Sequence, residues 1–289
     1  MTNILVTGGR GQLGRSIARE FLPHSSINAI FVDFDELDIT NKEQILAFFE
    51  ENKFSHCINC AAYTAVDLAE NEKDKANKVN DQAVKYLAEV CKIHRTKLIH
   101  ISTDFVFDGL QSSLYDEESE AHPINIYGLT KLEGERAIQK IADDFVIIRT
   151  AWLYSEFCNN FVKTMLRLGE EKSQLNVVSD QIGTPTYAGD LAKVVLKIVL
   201  HKEFKNGLYH FSNEGVASWY DFAFTIMNYA GLPCKVLPIK TVAYPTPAKR
   251  PFFSVMDKSK IKKELNIEIN HWTESLKDCI QNLIENKYE

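Results

Sequence analysis

Tyr127 and Lys131 stand four residues apart, and on a helix that spacing puts both side chains on one face. An ammonium beside a phenol favours the phenolate and would bring a tyrosine pKa down from about 10 toward working pH. The phenol then becomes a usable proton donor to a carbonyl oxygen. Ser102-Thr103-Asp104 follows the apolar run Leu98 to Ile101, which reads as a strand. The Thr103 hydroxyl therefore stands at the carboxyl end of that strand, where open α/β sheets place their ligands, and it can hydrogen-bond the same oxygen. A tyrosine-lysine pair alone recurs on ordinary surface helices, so its meaning depends on what else the chain brings to it.

A second constellation lies at the start of the chain. Asn3 to Thr7 reads as a strand, followed by Gly8-Gly9-Arg10-Gly11-Gln12-Leu13-Gly14 and a helical run to about Phe21. Two phosphate-turn patterns overlap there, one on Gly9, Gly11 and Gly14 and one on Gly8, Gly11 and Gly14. Either gives a tight turn, close approach of backbone to a pyrophosphate, and a helix N-terminus facing the negative charge. Asp33 ends the next strand at a distance suited to a ribose contact. The two signals for nucleotide type conflict, because Asp33 suits a free 2′-hydroxyl and Arg10 suits a 2′-phosphate. We take NADPH as the working reductant with NADH tolerated, its nicotinamide delivering hydride to the carbonyl on the side away from the hydroxyls.

These groups need a scaffold, and the pattern of apolar runs supplies one. Ile4 to Val6, Ala29 to Val32, Leu98 to Ile101 and Phe145 to Ile148 are continuous apolar stretches of strand length, as in a parallel sheet covered on both faces. Between them Ile45, Phe48 and Phe49, and then Ala83, Leu87, Val90 and Cys91, recur at helical spacing. After Thr150 the rhythm loosens, and Pro185, Pro233, Pro238, Pro245, Pro247 and Pro251 all fall there. Helical Leu191 to Leu200 and strand-like Gly207 to Phe211 still look like sheet material. The expected fold is α/β, a Rossmann-like doubly wound parallel sheet with a smaller C-terminal α/β substrate lobe. We expect the dinucleotide-binding domain to comprise residues 1–150 plus about 188–212, and the substrate lobe residues 151–187 and 213–289.

Composition removes several other classes. The 289 residues are 25% charged and 45% hydrophobic, which excludes disordered and coiled-coil chains. A net charge of −6 offers no positive field for nucleic acid or an anionic membrane. No apolar run is long enough for a membrane helix, and the first residues read as a strand and not as a signal peptide, so we expect a cytoplasmic protein. Cys57 and Cys60 match Cys-x-x-Cys, yet Ser55 to Cys60 looks like a buried strand that would point them to opposite faces, against a redox or metal role.

Taken in order along nearly the whole chain, these segments resemble the extended short-chain dehydrogenase/reductases, and within them the reductases of nucleotide-linked keto sugars. The resemblance is carried by Gly8 to Gly14, Asn59 to Glu70, Ser102 to Phe107 and Asn125 to Lys131. It continues through Arg149 to Tyr154, Asn159 to Phe161, Asp180 to Thr186 and Tyr244 to Pro251. It implies reduction of the 4-keto group of dTDP-4-dehydro-β-L-rhamnose to dTDP-L-rhamnose, the last step in making an activated sugar for bacterial surface polysaccharide. By position it makes Tyr127 the acid, Lys131 its electrostatic partner and ribose anchor, and Thr103 the carbonyl-polarising hydroxyl. Asp38, Ile39, Cys60, Ala61 and Ala62 would line the cofactor with the glycine turn. Val66, Asp67, Asp104 and Trp152 would touch the sugar. Arg250 is either a diphosphate clamp or a solvated loop arginine, and Trp152 either a wall for the sugar methyl group or core packing.

Some members of that family dimerise around Mg²⁺ held by two glutamates, where this chain has Ser16 and Gly189. We therefore expect no metal site of that kind; the resemblance leaves a homodimer open, but not by that mode. Two alternatives share the glycine turn and the tyrosine-lysine pair: a nucleotide-sugar epimerase or dehydratase, and a non-catalytic NADP-binding regulatory subunit.

Overall fold

The computed structural model describes residues 2–201, 203 and 205–285. The first part of the chain runs β1 (Thr2–Thr7), α1 (Gln12–Phe21), β2 (Ile27–Val32), α2 (Lys42–Glu51), β3 (His56–Asn59), α3 (Val66–Ala69) and α4 (Lys73–Asn77). A π-helical turn (Lys78–Gln82) then leads into α5 (Ala83–His94), β4 (Lys97–Thr103), α6 (Ile126–Ile141) and β5 (Phe145–Thr150). The second part runs β6 (Leu153–Tyr154), α7 (Phe161–Glu171), β7 (Gln174–Val178), β8 (Ile182–Gly183), β9 (Thr186–Tyr187), α8 (Ala188–Leu200) and β10 (Gly207–His210). It ends with β11 (Ala217–Ser218), α9 (Trp219–Ala230), β12 (Lys235–Ile239), α10 (Ser259–Leu265) and α11 (Trp272–Glu285).

Six parallel strands form the central sheet in the order β10-β5-β4-β3-β1-β2. Strand order reverses between β1 and β3, which opens a crevice at their carboxyl ends. Alternate residues of each strand feed two cores. Ile4, Val6, Ile58, Ile99 and Ile148 pack with α1 and α8 on one face, whereas Leu5, Cys57, Leu98 and Ile147 pack with α2, α5 and Ile138 of α6 on the other. Both faces are therefore dry, which is why the strands read as unbroken apolar runs, and each fully buried Leu or Ile contributes about 1.5–3 kcal/mol.

The chain leaves the sheet after β5 and returns to it with α8 and β10, whose residues Leu208, Tyr209 and His210 pair with Ile147, Ile148 and Arg149. Ile261 and Leu265 of α10 also pack into the α1–α8 core. The rest of the second part has its own core of Tyr154, Val162, Met165, Phe222, Ile226, Trp272 and Leu276. Its strands pair only in twos, and β6, β8, β9 and β11 are two residues each, too short to show a period of two in sequence.

Two local readings shift, and one helix carries an irregularity that no spacing foretold. β4 extends to Thr103, so Ser102 and Thr103 are its last residues and do not follow it. β3 stops at Asn59, which leaves Cys60 in the turn beyond while Cys57 lies in the core on the α2–α5 face. The helix begun by α4 carries a π-turn that buries Asn80, whose amide bridges the backbone of Tyr63 and the hydroxyl of Thr130.

Candidate active site

The crevice at the carboxyl ends of β1, β3 and β4 is a cavity of about 950 Å³. Gly8, Gly11, Gln12, Leu13 and Gly14 form one end of it, with Asp33, Asp38 and Ile39 beside them. Gly8 is in the left-handed region at φ 66°, and a Cβ there would lie 2.8 Å from the Ala61 nitrogen; a Cβ on Gly14 would lie 2.3 Å from the Gly8 carbonyl oxygen. Glycine is required at both points for the helix to approach the strand this closely. Helix α1 follows Gly11, which caps it with no side chain, and has no acidic residue in its first turn, so its first N–H groups and positive end are free to meet an anion. Those features fit the pyrophosphate of a dinucleotide.

Gly9 and Arg10 lie outside this wall. Gly9 packs on the Phe31 side chain, and the Arg10 guanidinium pairs with Asp35 at 2.9 Å and also with Glu36. Asp33 accepts the Arg10 backbone N–H at 2.9 Å, which fixes that carboxylate at the edge of the glycine turn. Cys60, Ala61 and Ala62 form the floor.

Farther in, Thr103, Asp104, Tyr127 and Lys131 converge. Asn125 caps α6 by accepting the Gly128 N–H at 2.8 Å and ties the helix start to the second part of the chain by donating to the Lys249 carbonyl at 2.8 Å. Behind α6, Glu135 and Arg149 form a buried two-pronged pair, with the Ser102 hydroxyl donating to Glu135 at 2.5 Å. Helix and sheet are thereby locked in register beneath the reacting groups.

The Thr103 hydroxyl donates to Asp104 Oδ1 at 3.2 Å and accepts the Phe105 N–H at 3.2 Å. Burial pushes the Tyr127 phenol up to about 12, with the Thr103 hydrogen bond pulling against it. This corrects the expectation that Lys131 lowers the phenol. The ammonium is turned away, donating to the Ile101 carbonyl at 2.7 Å and lying 3.2 Å from His100 Nε2, and burial brings Lys131 itself down to about 8. Burial likewise raises Asp104 to about 6 against the pull of the Ser254 and Thr103 hydroxyls. Asp104 Oδ2 makes no hydrogen bond among the described residues.

Val66, Trp152 and Arg250 line the outer cavity, whereas Asp67 stands beside it as the partner of Arg250, at 3.1 and 2.8 Å. Arg250 also donates to the Thr246 hydroxyl and the Ala248 carbonyl, so its half-buried guanidinium is held by the protein's own groups. Trp152 sits at φ 47°, unusual for a bulky side chain, and stacks on Trp219 at 3.7 Å. Gly183 makes room for its indole, since a Cβ there would be 2.8 Å from the ring. Asn160 and Phe161, from one of the segments that carry the resemblance, also line the cavity, together with Trp219 and Phe34, which no sequence motif announced. Only the capping box of Ser218 and Asp221 marked the start of the Trp219 helix.

At the two positions compared with metal-binding glutamates, Ser16 is buried and donates to the Gln12 carbonyl at 2.9 Å. A Cβ on Gly189 would lie 2.5 Å from the Tyr187 ring, so a larger residue there would displace that ring.

A glycine-turn nucleotide crevice at the switch point of a doubly wound sheet, facing a threonine, a tyrosine and a lysine, defines a short-chain dehydrogenase/reductase. More specifically, the chain belongs to the family described as RmlD substrate binding domain, which matches residues 1–285. It is 44% identical over 289 residues to a dTDP-4-dehydrorhamnose reductase of Aggregatibacter actinomycetemcomitans, covering 96% of this chain and 98% of that one. Among solved structures, a dTDP-4-dehydrorhamnose reductase of Clostridium acetobutylicum superposes with a TM-score of 0.94 at 42% identity, covering 98% of this chain and 100% of that one. The Bacillus anthracis dTDP-4-dehydrorhamnose reductase in complex with NADP gives 0.93 at 38% identity, with the same coverage.

Proposed function

We infer that this protein is an NADPH-dependent oxidoreductase that reduces the 4-keto group of dTDP-4-dehydro-β-L-rhamnose to dTDP-L-rhamnose, the last step of activated rhamnose synthesis. The observation that carries the reading is the convergence of Thr103, Tyr127 and Lys131 in one cavity that begins at a bare helix N-terminus. The relatives' names and the NADP complex of one of them support the same substrate and cofactor.

NADPH, when bound, supplies the hydride. Tyr127 gives its phenolic proton to the carbonyl oxygen as that oxygen becomes a hydroxyl. With its pKa near 12 the phenol stays protonated through the neutral range, as a donor must. Thr103 fixes the direction of the phenol and polarises the carbonyl. Lys131 anchors the ribose with the N–H that Ile101 and His100 leave free. Gly8 to Gly14 hold the pyrophosphate, and Asp33, Asp38, Ile39 and Cys60 to Ala62 line the nucleoside. Val66, Asp67, Asp104, Trp152 and Arg250 take the sugar nucleotide. Residues 1–150 with 188–212 serve the cofactor in this reading, residues 151–187 and 213–289 serve the sugar, and the enzyme works in the cytoplasm.

The test is loss of NADPH absorbance on addition of the keto sugar, repeated with NADH, with the product identified by mass. Sugar interconversion without net NADPH consumption would mark an epimerase or dehydratase instead. Tight NADP binding with no turnover would mark a regulatory subunit.

A further inference from the structure

Trp152 shows two features that a large aromatic residue adopts only where its surroundings impose them. Its backbone is left-handed at φ 47°, and its indole lies face to face with that of Trp219, with ring centroids 3.7 Å apart and planes 10° from parallel. Aromatic pairs otherwise prefer offset or edge-to-face arrangements, with centroids roughly 4.5–7 Å apart. Both features fall two positions beyond Thr150, which stands opposite Thr103 in the register of β4 and β5. The indole therefore begins beside the reacting hydroxyls, and both tryptophans line the cavity.

The groups that hold this ring come from one two-stranded unit. Gly183 of β8 pairs with Ala217 of β11, and Trp219 follows β11 directly. A Cβ on Gly183 would lie 2.8–3.0 Å from Cε2, Cζ2 and Nε1 of Trp152, so bare backbone comes up against the indole there. Ser218 accepts the Asp221 N–H at 3.1 Å while its own N–H donates to Asp221 at 2.8 Å, which sets the first turn of α9 where Trp219 lies. Phe161 and the buried Phe222 brace Trp219 from the second part of the chain, with centroids at 4.6 and 6.3 Å. The Trp152 backbone is pinned as well, its carbonyl accepting the Thr186 N–H at 3.2 Å. We propose that Trp219 is a positioning residue for the reduction: with Gly183 it clamps the Trp152 indole in one setting, and that setting holds the keto sugar ring against Tyr127 and the nicotinamide. Placement of a reacting ring by a preformed wall lowers the barrier without any new chemistry, which gives a strained residue at this point its use. The assignment deepens the reductase reading and rests on it for the identity of the ring that is held.

Kinetics and circular dichroism on the intact protein test it. Trp219→Leu removes the stack, and Gly183→Ala pushes a methyl group into the indole from a residue that does not itself line the cavity. Each is expected to lower kcat/KM for the keto sugar about tenfold or more and to leave KM for NADPH within about twofold of the parent value, whereas Trp219→Phe restores most of the loss. In a Trp152→Ala background neither change should cost more than about twofold further, because the ring it acts through is gone. Full additivity in that background would make Trp219 a direct contact, and losses shared equally with NADPH that follow the melting temperatures would make it a packing residue; either overturns the proposal. The parent should also show the paired circular-dichroism bands of two coupled indoles before any ligand is added, lost alike in Trp152→Ala and Trp219→Leu. Bands that are absent, or that form only with ligand, would show that no clamp is preformed. Failure of the parent to turn over the keto sugar would count against the reductase reading, and the dichroism together with calorimetric binding of dTDP-L-rhamnose to the same variants would then decide the clamp.

Discussion

Asp67 and Arg250 meet in a two-pronged ion pair, 183 positions apart in the chain, with the carboxylate on α3 and the guanidinium on the loop that leads toward α10. The Arg250 guanidinium, with the Ala248 N–H, holds the Asp67 carboxyl below its ordinary range. The pair joins the nucleotide side of the cavity to the far side, so its loss should be felt by a ligand that touches both.

Arg250→Ala is expected to raise KM for the nucleotide sugar about tenfold or more while leaving KM for NADPH near its parent value. Steady-state kinetics with each ligand varied in turn checks this. An effect on NADPH alone would place Arg250 outside the sugar site.

Tyr127→Phe removes one hydroxyl and leaves the ring against Phe105, where the two rings meet edge to face at 5.5 Å. The fold and NADPH binding should persist, while kcat falls by about a hundredfold or more. A variant that kept near-parental kcat with normal binding would exclude the phenol as the acid.

Asp104 has the opposite sign from most carboxyls in folded proteins. Burial raises its folded-state pKa to about 6, above the unfolded value, so the stability it lends is full below pH 4 and disappears as pH rises through 6. Asp104→Asn should therefore be more stable than the parent at pH 8, by an amount on the order of 2–3 kcal/mol, and little different at pH 4. Denaturant melts at the two pH values measure the difference. A variant less stable than the parent at pH 8 would show that the carboxylate is compensated in a way the hydrogen bonds do not reveal.

Arg10 is held by Asp35 and Glu36, so a 2′-phosphate must compete with two carboxylates for it. Arg10→Ala should weaken NADPH about tenfold more than NADH, and Glu36→Gln should act in the other direction by releasing the guanidinium. Competitive titration of the two nucleotides decides it; equal changes for both would confine Arg10 to shaping the turn.

Because Ser16 is occupied with the Gln12 carbonyl and Gly189 has no room for a side chain, EDTA should change neither activity nor sedimentation. A reversible change in association on chelation and Mg²⁺ addition would point to carboxylates elsewhere.

The parts that could be read from the sequence are those built from local physics. Covered strands such as Ile4 to Val6 announce themselves as apolar runs, and the spacing of Gly8, Gly11 and Gly14, or of Tyr127 and Lys131, is set within one turn or helix. What stayed hidden depends on residues meeting across the fold. Trp219, on α9, stacks on Trp152 in the bend between β5 and β6, and Arg250 finds Asp67 from the far end of the chain. The Nζ of Lys131 meets the Ile101 carbonyl and lies beside His100, both on β4, and no spacing within α6 encodes that direction. The short paired strands of the second part carry too few residues for a period to emerge.

The late return of β10 to the edge of the central sheet has a consequence for how the chain must be made. Until residue 210 has left the ribosome, the outer edge of β5 presents a row of unpaired backbone groups, and Ile148 lacks the cover it gets from α8 and Tyr209. A nascent chain paused between residues 150 and 206 is thus a sticky intermediate, and a fragment cut at the apparent domain boundary would carry the same open edge. The six-stranded sheet cannot be finished before much of the second part has been made, because the chain leaves it after β5 and returns only with β10.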